Sequence, residues 1–172
     1  MSLFLPGEDV GVRADEKQDE PAVPLEALEE DLRRAERTGD ERAILLARYR
    51  LGRAVCAAGD TDRAADLLQP LPNAFAALKE PDRFNRGRAL TGLGEVCLAR
   101  RLPVVAINFF GQALEIMRAE RALAQEADVW VHFAEAARMR SDPDAERASL
   151  DRADAARRSW EAARKAARDA AG

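Results

Sequence analysis

His132 and Glu135 stand three residues apart in "VHFAEAA", a spacing that puts an imidazole and a carboxylate on one face of a helix. With one further ligand such a pair could hold a divalent cation. His132 is the sole histidine, however, and its helix carries no cysteine to complete a metal shell. It reads as a packed or surface histidine, and no metal is expected. Cys56 and Cys97 show neither a disulfide framework nor a zinc-finger spacing. Both lie in apolar helical context and read as buried free thiols, which fits a reducing compartment. Asp142 and Asp144 fall in a helix-starting turn, where capping is the expected role of a carboxylate. The chain has no Gly-rich phosphate loop, no nucleophile elbow and no H-E-x-x-H arrangement. No catalytic residue and no cofactor is therefore assigned, and the chain is not read as an enzyme.

The elements that hold these residues are helices. The 172 residues are 47% hydrophobic and 34% charged, poor in aromatics and rich in Ala, Leu, Arg and Glu, a mixture that favours helix over strand. A formal charge of −4 gives no general attraction to nucleic acid. No window approaches the roughly 20 apolar residues of a membrane span, and the short apolar run in "MSLFLPGEDV" is not a signal peptide. The expectation is a soluble, cytoplasmic protein.

Residues 1–23 are acidic, with Gly and Pro, and read as a disordered acidic tail. Residues 24–172 read as one helical domain. Leu25, Leu28, Leu32 and Ala35 mark the apolar face of a first helix that "TGD" ends. A helix over about 41–58 follows, with Ile44, Leu45, Tyr49, Leu51 and Val55 inward, Gly59 as its C-terminal cap and Asp60 or Thr61 capping the next. Pro70 and Pro72 predict a stop near Gln69, then a short helix over about Asn73–Lys79. Further helices are predicted at about 82–100, 103–119, 121–140 and 143–170, with Pro103 and Pro143 at N-terminal positions where a missing N–H does no harm.

A repeat runs through these helices. Leu51, Gly52, Val55, Ala64 and Leu68 return 42 residues later as Leu93, Gly94, Cys97, Ala106 and Phe110. A third pass, offset by 40, gives Phe133, Ala134, Ala137, Glu146 and Leu150. Glycine inside a helix costs about 1 kcal/mol against alanine. Two in register are explained if small residues recur where antiparallel helices approach most closely and large apolar residues fill the layer around them. A helix pair cannot bury its apolar stripe alone, so successive pairs stack.

On Leu51-Gly52, Gly59-Asp60 and Ala64, then Leu93-Gly94, Ala106 and Ala113, then Trp130, Phe133, Ala134, Leu150 and Ala153, the pattern resembles the tetratricopeptide repeat (TPR) family over about residues 40–156. Its 40–42 residue period looks like the long-helix variants in kinesin light chains and many bacterial regulators. Glu146 departs from the small residue the family places there. The resemblance implies an all-α, TPR-like α-solenoid of about three antiparallel helix pairs, near 45–80, 87–119 and 127–156, with an N-terminal helix and a long C-terminal capping helix to about 170. It also implies a concave groove lined by the first helix of each pair, in which another protein's peptide or helix is held.

Carried onto this chain, that groove takes Tyr49 and Arg53 from the first pair and Arg88, Thr91 and Glu95 from the second. The third supplies Asp128, Val131, Glu135 and Arg138, with Leu46, Cys56, Leu98 and Met139 on the floor. Mixed charge over an apolar floor suits an amphipathic segment. The slots that clamp a C-terminal carboxylate in some family members hold Tyr49, Arg53, Gly92, Asp128 and His132, of which Arg53 alone has a suitable charge. Chaperone-tail binding of that kind is not expected.

The last helix carries Ala153, Ala156, Trp160, Ala163, Ala167 and Ala170 at three-four spacing, a face fit to cap the stack or to meet another helix through Trp160, Ala156 and Ala163. Interleaved acids among its arginines argue against nucleic-acid contact. The reading is a non-catalytic interaction adaptor. Its alternatives are a regulatory sensor of a small peptide or effector, and a homo-oligomeric component joined through the last helix.

Overall fold

A computed structural model describes residues 23–171; the acidic tail expected over 1–23 lies, apart from Val23, outside the described residues. Eight helices account for nearly all of the described residues, with no strand among them: α1 (Leu25–Thr38), α2 (Glu41–Ala57), α3 (Thr61–Leu68), α4 (Leu71–Ala77), α5 (Arg83–Ala99), α6 (Pro103–Ala119), α7 (Leu123–Met139) and α8 (Pro143–Ala171). No helix among them is long and apolar enough to cross a membrane.

Neighbours in the chain pack on one another: α1 on α2, α2 on α3, α4 on α5, α5 on α6, α6 on α7 and α7 on α8. A second set of contacts joins elements that are not consecutive, because α2 and α3 touch α5 and α5 touches α7. α5 thus lies between α2 and α7. The core follows the same order. Leu45, Val55, Leu68, Leu71 and Phe75 form its first part; Phe110, Ala113, Met117, Val129 and Ala153 form its second. The two adjoin at α5, which gives Leu93 and Val96 to one and Leu90 and Leu98 to the other, while Phe109 packs on both.

The recurring glycines are the points of closest approach. A Cβ on Gly52 would stand 2.7 Å from Leu68 Cγ, and one on Gly94 would stand 2.1 Å from the Phe110 ring. The large residue one turn beyond Ala64 or Ala106 therefore fills the space each glycine leaves, and both alanines are fully buried beside it. The third pair departs from the expected register. Leu150, the counterpart of Leu68 and Phe110, is 43% exposed, and α8 buries Ser149, Ala153 and Ala156 instead. Glu146 occupies the slot of the buried alanine, and an unpaired carboxylate there is too costly to desolvate. Glu146 stays partly exposed and Ser149 turns inward, while Ala153 keeps the buried slot of Ala113.

The turns repeat as closely as the helices. Asp60 N–H donates to Val55 C=O, Leu102 to Cys97, Ala122 to Met117 and Asp142 to Ala137. Each of these six-residue closures ends a helix in the Schellman manner and requires a left-handed residue before the last donor. Glycine supplies it at Gly59 (φ 93°), but Arg101 (61°), Arg121 (55°) and Ser141 (58°) supply it elsewhere. That is why α7 begins at Leu123 and not at the expected 121. The short helix also differs from expectation. It runs from Leu71 and not Asn73, since Pro72 sits in its first turn, where no backbone donor is needed. Asp82 then starts α5: it accepts from Asn85 N–H at 3.0 Å, and its other oxygen takes Asn85 Nδ2 at 2.8 Å and the Arg42 guanidinium of α2 at 2.7 Å.

The glycine contacts and the left-handed turns each give a test by urea denaturation. Gly94→Ala is expected to lose about 1–3 kcal/mol through overpacking against Phe110. Gly111→Ala, whose Cβ meets nothing within 4 Å, is expected to gain about 0.5–1 kcal/mol of helix propensity. Equal effects at both sites would contradict the packing described. Arg101→Gly is expected to gain about 0.5–1 kcal/mol by relieving the left-handed backbone; a loss of stability would show that the strain argument fails there.

Candidate functional site

α2, α5 and α7, lying side by side, pool side chains on one wall. Arg53 projects from the last turns of α2 and grips Glu95 of α5 with both arms of its fork, Nε to Oε2 at 2.9 Å and Nη2 to Oε1 at 2.8 Å. His132 of α7 places Nε2 3.0 Å from the same Oε1. One carboxylate therefore joins three helices. Burial works against the charge on Glu95, but the His132 hydrogen bond and the Arg53 guanidinium outweigh it and hold the carboxyl below its ordinary value of 4.5. The imidazole is fixed from behind by Phe110, whose ring stacks on it at 5.3 Å and 14°. The side chain that fills the Gly94 gap thus also backs the wall. His132 Nδ1 is buried without a hydrogen-bond partner; the nearest acid, Glu135, stands 4.0 Å away.

The structure gathers Tyr49, Arg53, Arg88 and Glu95, but it changes what they offer. Tyr49 is buried, roofed by the Arg88 guanidinium 4.8 Å from its ring centre and by Arg53 at 6.0 Å. Arg88 also stands over Phe84 at 5.8 Å and donates to Asn85 Oδ1 at 3.1 Å. Thr91 spends its hydroxyl on Gly87 C=O of its own helix at 3.1 Å. Val131 packs partly into the core. Asp128 and Arg138 are exposed and Glu135 is half-exposed. These three remain open to a partner. On α8, Ala156 is buried, Trp160 is partly covered with Arg164 5.4 Å over its ring, and Ala163 is exposed.

His132 as the third member of the Arg53–Glu95 pair was missed in the sequence reading. A signal was present: Arg53 and Glu95 occupy the same repeat slot with opposite signs, and same-slot residues of adjacent pairs face each other. Glu135 is the next occupant of that slot and His132 lies one turn before it.

Chemically the wall is committed. Glu95 takes three contacts from Arg53 and His132, which hold it in its charged form as a structural anchor between the helices. Burial pushes the Cys56 and Cys97 thiols up, which keeps both in the protonated, poorly nucleophilic form. Among the described residues no group of three His, Cys, Asp or Glu side chains is gathered to hold a metal ion. No protein-family model matches the chain, and no curated protein matches it significantly.

A carboxyl held below its ordinary value stabilises the fold fully above that value, and the contribution fades as pH falls through the native one. At pH 7, Glu95→Gln is therefore expected to cost on the order of 1–3 kcal/mol. The gap to the parent protein should close as pH drops below 4.5. Urea midpoints across that range check this, and a gap independent of pH would contradict it.

Proposed function

We propose that this chain is a non-catalytic interaction module of TPR-like solenoid build, working in the cytoplasm. Its wall of α2, α5 and α7 receives a peptide or helix of a partner protein. The observation that carries the reading is the side-by-side contact of α2 with α5 and α5 with α7, which turns three separate helices into one continuous face. The Arg53–Glu95–His132 linkage favours a rigid face, because neighbouring helices joined through one carboxylate are held in a single register. Rigid surfaces lose less entropy when they bind.

Affinity would come from apolar groups at the rim of the wall, such as Val131. Charge selection would fall to Asp128, Glu135 and Arg138, which are not consumed inside the protein as Arg53 and Glu95 are. A carboxylate held between three helices and thiols kept protonated by burial suit a binding face.

Charge reversal separates this wall from the rest of the surface. The protein and a Glu135→Lys/Arg138→Glu variant would be used to capture partners from native lysate, with Asp66→Lys, at an exposed position of α3, as control. The reading predicts that a protein retained by the parent and the control is lost by the double variant. Identical retention by all three would place the binding surface elsewhere.

A further inference from the structure

The face of α5 opposite the wall lines a cleft. Arg86, Leu90, Leu93, Cys97 and Arg100 recur at spacings of four and three, so they share one stripe, while Arg88, Thr91 and Glu95 point the other way. The stripe floors an open cleft of about 410 Å³ between α3–α4 and α6. Phe109, Val96 and Pro72 add apolar wall; Gln69, Asn73 and Gln112 set amides around the mouth. The volume lies in the lower part of the range for small-ligand sites, roughly 300–1,000 Å³.

Charge in the cleft is one-sided. Two arginines line it and no Asp or Glu does. Arg100 is already neutralised, since it donates to the Asp62 carboxylate and to Thr61 C=O. Arg86 is not. Among the described residues its guanidinium makes no ion pair, and its Nε is buried without an acceptor. A buried donor left unmet is unfavourable, and here it belongs to a half-buried cation with no counter-ion among the described residues. The protein itself thus withholds one acceptor and one negative charge beside an apolar floor.

We infer that this cleft binds a monocarboxylate carried on a compact apolar body. The acid seats against the Arg86 guanidinium, whose planar fork matches a carboxylate, and the body lies on Leu90, Leu93 and Phe109. One uncompensated cation matches a single negative charge better than a phosphate dianion. Burial keeps the Cys97 thiol protonated, so binding there is reversible and not covalent.

The ligand chemistry has two sources, a free acid or the C-terminus of a short apolar peptide. Calorimetric titration of the full chain with hexanoate, 3-phenylpropionate and N-acetyl-Leu-Phe, each beside its neutral amide, tests both. Saturable heat from at least one acid and none from its amide supports the inference, and the acid that binds identifies the source. Arg86→Gln, checked for helix content, is expected to weaken that acid roughly tenfold or more, the effect of losing a charged hydrogen bond. Gln112→Glu, an exposed change that adds a carboxylate at the mouth, should weaken it as well. Amides that bind as well as acids, undiminished binding in both variants, or no saturable heat with any of the three acids would overturn the assignment.

Discussion

Phe110 lies so close to the Gly94 backbone that no side chain could stand between them. That approach sets the separation of α5 and α6, and much else follows from it. The same ring carries His132 of α7 stacked on it, with Phe133 tilted against it. One outer-helix residue therefore spaces its own hairpin and backs the next hairpin's contribution to the wall. Leu68 fills the Gly52 gap in the preceding pair, where its methyls also lie against a Cβ position on Gly92 of α5. In both pairs the filler reaches through its own hairpin towards the following one. One side chain therefore packs within its own hairpin and against the next helix at once.

On this frame the charges fix position more than they add stability. Glu95 is largely buried, and an ion pair taken out of water gains little over apolar packing of similar volume. Its consequence is geometric. A bidentate arginine from one side and an imidazole from the other leave little freedom for α2 and α7 to slide along α5. Asp82 does the same at the opposite end of α5, through the Arg42 guanidinium. α5 is clamped at both ends and buried on most of its circumference, and its two exposed edges face the wall and the cleft.

Much of this frame was legible in the sequence. The helices stand almost where the proline and glycine punctuation put them, and α6 begins and ends at the expected residues. The recurrence of Gly52 at Gly94 announced a close contact. What stayed hidden obeyed the repeat and not residue type. Arg101 and Ser141 hold the left-handed position of Gly59 although neither is glycine, because the backbone bonds of the turn outweigh about 1–2 kcal/mol of local strain. Leu150 stands exposed where the repeat expects a buried large residue, because Ser149 beside it turns inward while Glu146, one turn earlier, stays partly exposed. The Glu95–His132 contact was hidden because it crosses between helices far apart in the chain. Arg86 was passed over because an arginine is ordinarily a solvated residue, and only the fold shows that its Nε is shut away from an acceptor.

The wedge of Phe110 between Gly94 and His132 can be seen directly by proton NMR of the full chain. The account predicts nuclear Overhauser contacts from the Gly94 α-protons and the His132 ring to the Phe110 ring, with the Gly94 α-protons displaced by its ring current. Gly94 α-protons at ordinary shifts, with no contact to Phe110, would contradict it.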